Sequence, residues 1–180
     1  MVATGEGGLK MGGRGSAGGK GSSSGIPAGA SYLEQKSEKW YLSLSDKEKT
    51  AVTAYTVTNY TKDPNRKEMT DALDNALSKF KTDKELVTFR GVSGEEFVDT
   101  LFSGEVKTTF KSTSTDVSRA EAFAKGQGGY IIEYHIKKGN HGAFLDGGVP
   151  MSVEKEFLIN RNQKMKVVSS KGKKMIVEIG

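Results

Sequence analysis

At 180 residues the chain is long enough for one domain with a real core, and its length favours one domain over two. It has no cysteine, which excludes disulfides and cysteine-based metal or redox chemistry. The net charge of +5 is dispersed among 22 acidic residues, and the one local basic cluster is "KGKK" at 171–174, which describes a solvated surface better than a nucleic-acid stripe.

Residues 1–30 hold 11 of the 23 glycines and no aromatic residue. Such a stretch buries too little apolar area to offset its ordering entropy, so it reads as a flexible Gly/Ser-rich leader ahead of a single domain over 31–180. It lacks the apolar run of a signal peptide, and no later stretch approaches the ~20 apolar residues of a membrane span.

Helical signals come next. Tyr32 to Leu42 suggests a first helix. Ser45 and Glu48 have the spacing of a capping box, followed by the helical stripe Ala51, Val52, Tyr55, Asn59 and Tyr60. Pro64 ends that segment, because proline disfavours helical geometry in the residue before it. Met69, Leu73, Ala76, Leu77 and Phe80 form a third amphipathic stripe.

From residue 86 the texture changes. "LVTFR" reads as a strand, and Ser93 with Glu96 offers a second capping box for a short helix through Leu101 and Phe102. "TTFKSTST" is β-rich and "SRAEAFAK" is a short helix. "YIIEYHI", "AFLD", "EFLINR", "KMKVVSS" and "KMIVEI" then read as strands between glycine turns. Helices first and strands after predict an α+β fold, without the βαβ alternation of a doubly wound nucleotide-binding sheet. His135 reads as a strand residue and His141 as a turn residue, and the two lack a metal-ligand spacing.

"VPMSVEKEFLINR" places Glu154 and Glu156 one residue apart at the start of an apolar strand. Regular strand alternation would aim both carboxylates the same way, about 6–7 Å apart. Taken alone, the pair reads as solvated surface. Two earlier features alter that reading: Arg90 ending a strand as "TFRG", and Ser112, Thr113 and Ser114 in "FKSTST".

In this order, with these flanks, the motifs resemble the arginine–serine–glutamate class of mono-ADP-ribosyltransferases. The likeness is strongest to the bacterial exoenzyme group that includes the actin-modifying binary toxins and related phage-encoded enzymes, and it extends over residues 44–179. It implies N-terminal helices packed on a two-sheet, mixed or antiparallel β core, with NAD as co-substrate and no metal. By the same resemblance Glu156 would hold the ribose 2′-hydroxyl, and Ser112 would orient Glu156. Arg90 would bind the diphosphate, and Gly91 would let the backbone approach the nicotinamide carboxamide. Thr113 and Ser114 would secure the strand, while Phe123, Tyr55 and Tyr60 would line the NAD pocket. Glu154 would engage the guanidinium of a target arginine, since relatives with glutamine there modify other acceptors.

Departures from the family pattern are the lack of an aromatic residue in the loop before Glu154, which offers only Met151, and the absence of an arginine shortly after Phe123, where Lys125 is the nearest cation. The segment between Arg90 and Ser112 is also short, which suggests a minimal catalytic core. The implied partner is a target protein with an exposed arginine, with an RNA acceptor left open, no membrane, and a monomeric enzyme. Its expected place of action is the cytoplasm of a host or target cell, after delivery by a phage or a toxin. Two other readings stay open: an NAD glycohydrolase without a macromolecular target, and a catalytically silent binding domain of a phage or toxin polypeptide.

Overall fold

The computed structural model describes residues 28–57, 65–103, 109–150 and 152–180. Residues 1–27 of the leader expected over 1–30, the stripe positions Asn59 and Tyr60, the helix-ending Pro64, and Met151 lie outside the described residues.

Among the described residues, five helices and seven strands follow in the order expected, helices first. The first helix, α1 (Ala28–Ser43), starts inside the segment read as leader. Next come α2 (Asp46–Val57) and α3 (Arg66–Ser78). The capping box opening α2 is complete: the Glu48 amide donates to Ser45 Oγ at 3.1 Å, and the Ser45 amide donates to Glu48 Oε1 at 2.9 Å. The second box is half made. Ser93 Oγ accepts from the Glu96 amide at 3.1 Å and starts α4 (Gly94–Phe102), but the Glu96 carboxylate turns away to other partners.

The strands are β1 (Leu86–Val92), β2 (Lys111–Ser114), β3 (Tyr130–Ile136), β4 (Gly142–Phe144), β5 (Glu156–Ile159), β6 (Met165–Lys171) and β7 (Lys174–Ile179), with α5 (Val117–Lys125) between β2 and β3. They form one sheet in the order β4-β5-β2-β1-β3-β7-β6, antiparallel throughout except for the parallel pair β3–β7. The two sheets expected from the sequence are therefore two wings of one sheet. They join at β1 and β2 through a single registered pair, Phe89 with Ser114.

Strand alternation sets the layers. Thr88, Arg90 and Val92 of β1 share a face with Ile132, Tyr134 and Ile136 of β3 and with Met175, Val177 and Ile179 of β7, and all nine are buried. The helical layer packs against the matching face of the other wing. Trp40 donates its indole N–H to the Ala76 carbonyl at 2.7 Å, its ring meets Phe80 edge-on at 5.7 Å, and Phe80 meets Phe157 of β5 edge-on at 6.2 Å. Helix α5 lies against the opposite face, over β1. A side chain on Gly91 would place its Cβ 2.2 Å from the Ala120 carbonyl oxygen, so this glycine is what allows the helix to sit so close.

Candidate active site

The short strand β2 is where the serine motif meets the glutamates. Ser112 pairs with Leu158 and Ser114 with Glu156, so along β2–β5 the side chains of Ser112, Ser114, Glu156 and Leu158 share one face. On that face Ser112 Oγ donates to Glu156 Oε2 at 2.5 Å, a short charge-assisted bond between two buried side chains. The Ser114 hydroxyl donates to the Glu154 carbonyl at 3.0 Å, and the Thr115 amide donates to the Lys155 carbonyl at 3.0 Å. Thr113 faces the other way and donates to the Phe157 carbonyl at 2.7 Å. One end of β2 thus secures every residue of the Glu154–Lys155–Glu156 segment.

The second side of that segment is held by Asp146, which the sequence reading did not single out. This buried carboxylate accepts from Ser152 Oγ at 2.8 Å, from the Lys155 amide at 2.7 Å and from the Glu156 amide at 3.4 Å. The available signal was its position before Gly147 and Gly148, because aspartate before glycine commonly organises a turn through its side chain. Gly147, at φ 95°, rests on helix α1, and a Cβ there would lie 2.6 Å from the Glu34 carbonyl oxygen.

The expectation that Glu154 and Glu156 point the same way along a strand is overturned. Strand β5 begins only at Glu156, and Lys155 is left-handed with φ 51°. A left-handed residue breaks strand alternation, so the two carboxylates leave the backbone in directions set by a turn. Glu156 is buried, whereas Glu154 is half-buried.

Arg90 sits on the other face of the sheet, in a buried ion pair. Its Nε donates to Glu96 Oε2 at 2.9 Å and Nη2 to Glu96 Oε1 at 3.2 Å, the forked geometry that guanidinium and carboxylate share. Nη1 donates to the Ser112 carbonyl at 2.9 Å, which ties β1 to β2 beside their one registered pair. Lys111 Nζ also reaches Glu96 Oε2, at 3.2 Å. Burial pushes the Glu96 carboxyl up, but Arg90 and then Lys111 outweigh it and hold it at about 2. Burial likewise works against the Arg90 charge, and Glu96 reverses that, raising the guanidinium above its ordinary value. The same buried environment raises the Tyr134 phenol, with the Glu96 charge adding to the effect.

The other sequence candidates are distributed around this centre. Phe123 is half-buried on α5, the helix covering Gly91, and so on the same side of the sheet as Ser112 and Glu156. Tyr55 is a fully buried core residue, its ring edge-on to Phe110 at 6.0 Å. The structure thus brings Ser112, Ser114, Glu154 and Glu156 together, reaches Arg90 through the Ser112 carbonyl, and leaves Tyr55 in the helical layer. Among the described residues, no helix is long and apolar enough to cross a membrane.

A split mixed sheet with helices at its front has close counterparts among bacterial ADP-ribosylating toxins. The fold matches BECa, an ADP-ribosylating toxin of a binary enterotoxin of C. perfringens solved with NADH, at a TM-score of 0.66 and 21% identity over 84% of this chain and 47% of that one. It also matches Plx2a, an ADP-ribosyltransferase toxin from Paenibacillus larvae, at a TM-score of 0.58 and 22% identity over 83% of this chain and 94% of that one. The family model for the ADP-ribosyltransferase exoenzyme matches residues 29–178, and the chain belongs to that family. A curated relative, the NAD(+)–arginine ADP-ribosyltransferase EFV of Enterococcus faecalis (strain ATCC 700802 / V583), is 34% identical over 157 residues. The match covers 77% of this chain and 32% of that protein, so the chain spans about a third of the length of its relative.

Proposed function

We propose that this chain transfers ADP-ribose from NAD to an arginine side chain of a target protein and releases nicotinamide. The observation that carries the reading is the 2.5 Å bond from Ser112 to Glu156, which fixes a buried carboxylate. Support comes from family membership and from the relative whose name specifies arginine as acceptor.

Nicotinamide leaves from a cationic state as a neutral molecule, so its departure needs no general acid. The reaction gains most from a fixed negative charge beside the ribose as positive charge develops there, which is the role of Glu156. The bond from ribose C1′ to nicotinamide breaks, a bond from C1′ to a guanidinium nitrogen forms, and the proton shed by that nitrogen goes to Glu154. Glu154 also orients the incoming guanidinium as a charge-assisted pair.

The donor set suits a dinucleotide. Arg90 is assigned to the diphosphate, because its forked N–H donors match that group; three of its five donors are engaged on Glu96 and the Ser112 carbonyl. Gly91 and Phe123, on the Glu156 side of the sheet, are assigned to the nicotinamide end. Tyr55, fully buried in the core, is not assigned to the pocket, and Thr113 and Ser114 are assigned to holding β2 in register. We further assign 31–180 to one monomeric catalytic domain acting on protein in the cytoplasm of a target cell.

Labelled NAD incubated with the protein and a lysate tests this reading. Glu156→Gln should abolish both transfer and NAD hydrolysis, whereas Glu154→Gln should lose transfer and keep some hydrolysis. Full transfer by the Glu156 variant would remove it from the chemistry. Label that resists neutral hydroxylamine would exclude arginine as the acceptor, and hydrolysis without labelled macromolecule would make the protein a glycohydrolase.

A further inference from the structure

We propose that Asp146 is a positioning residue that divides the work between the two glutamates: it holds Lys155 in its left-handed turn and so fixes the direction of Glu154 independently of Glu156. The inference rests on the functional reading above, since it concerns how that site separates transfer from hydrolysis.

The turn at Lys155 does not hold itself. An L-residue with a side chain is disfavoured in the left-handed region relative to its right-handed alternative. Surrounding contacts must therefore over-determine it. The Lys155 amide donates to Asp146 Oδ2 at 2.7 Å. Asp146 Oδ1 meanwhile takes the Ser152 hydroxyl at 2.8 Å and the Glu156 amide at 3.4 Å, so one buried side chain spans both arms of the loop. Its own backbone position is fixed from behind. The preceding Leu145 amide donates to the Glu156 carbonyl at 2.9 Å, and Gly147 is pressed against α1.

The two glutamates depend on this clamp unequally. Glu156 lies in the β2–β5 ladder, and its carboxylate has the separate bond from Ser112. Glu154 lies outside the ladder, and its backbone is held by the Ser114 hydroxyl and by the geometry of the turn that follows it. Loss of Asp146 should therefore release Glu154 first. In the chemistry proposed here, that loss falls on arginine transfer more than on NAD cleavage.

Asp146→Ala is the sharpest probe, because it removes both acceptor oxygens at once, whereas an asparagine could still accept from the Lys155 amide and donate to the Ser152 hydroxyl. Amide hydrogen exchange at Lys155 should accelerate by about tenfold or more in this variant, as expected for loss of a buried charge-assisted bond. With a small alkylguanidine as acceptor, transfer should fall about tenfold further than NAD hydrolysis, the scale on which misplacement of a reacting group acts. Glycine adopts the left-handed region without the side-chain penalty. Adding Lys155→Gly should therefore bring the transfer-to-hydrolysis ratio of the double variant back to within about threefold of Lys155→Gly alone.

A purely structural role for Asp146 predicts instead that both reactions fall together and that Lys155→Gly rescues neither, and that result overturns the proposal. Unchanged exchange at the Lys155 amide in Asp146→Ala also overturns it, whatever the activity. Should Asp146→Ala fail to fold, Ser152→Ala removes one of the three bonds and should lower the same ratio less; an unchanged ratio overturns the clamp. A wild-type protein whose Lys155 amide is protected but which neither hydrolyses NAD nor transfers ADP-ribose overturns the functional reading, and the positioning role with it.

Discussion

Glu156 and Glu96 show how two carboxylates in one small domain are set to different tasks. Glu156 receives a short side-chain bond from Ser112, which orients its carboxylate. Ser112→Ala should accordingly lower kcat by roughly ten- to a hundredfold with a smaller effect on KM for NAD, because the lost interaction orients the group that acts as charge develops. Initial-rate kinetics would check this, and an unchanged kcat would remove Ser112 from the positioning of Glu156. Glu96 is instead neutralised by Arg90 and Lys111, and its pKa is depressed from an ordinary 4.5 to about 2. A depressed carboxylate stabilises the fold fully above its unfolded pKa and ceases to do so as pH falls through the folded one, here over the window from about 4.5 down to about 2. The contribution at neutral pH is on the order of 3 kcal/mol. The stability gap between wild type and Glu96→Gln, read from denaturant unfolding, should narrow steadily as pH falls through that window. A gap independent of pH would show that Glu96 does not carry the linkage.

At the level of elements, the helices and strands were legible because each has a local cause. Two serine caps, the apolar stripe of α3 and the alternation in β3 and β7 each need only neighbours in sequence, and β3 and β7 begin and end where the pattern places them. What was not legible depended on distant partners. Glu96 fits a capping box by spacing, but Arg90 and Lys111 outcompete the helix terminus for its carboxylate. Glu154 and Glu156 look like strand neighbours, yet Asp146 and Thr115 hold the residue between them in a turn. The contact between α5 and β1 is of this kind too, since nothing near "TFRG" announces that a helix will lie on its glycine. Gly91→Ala should force α5 outward and cost about 1–3 kcal/mol, the usual range for overpacking. Because α5 carries Phe123, KM for NAD should rise with it. Thermal unfolding together with initial rates would check both, and an alanine variant with unaltered melting would mean that α5 shifts freely.

For the molecule as a whole, the feature that matters is the narrow join between the wings of the sheet. One registered residue pair connects β1 to β2, and the Arg90 guanidinium spans the same boundary by bonding α4 on one side and the Ser112 carbonyl on the other. Removing one partner of a buried ion pair typically costs 3–5 kcal/mol. Arg90→Met should therefore lower the melting temperature and weaken NAD binding. In native-state hydrogen exchange it should also lower the protection of β2, β5 and β4 more than that of β1, β3, β7 and β6. Equal loss in both wings would mean that the ion pair supports the core generally rather than the join. Family membership was legible because the Arg, Ser-Thr-Ser and Glu-x-Glu motifs all survive as short local strings, whereas the join appears only when the chain has folded and β1 lies beside β2. The chain has one tryptophan, Trp40, which touches Phe80, which in turn touches Phe157 next to Glu156. The unmodified protein therefore carries its own optical reporter: indole emission, with no dye attached, should register disturbances of the packing beneath the glutamate strand.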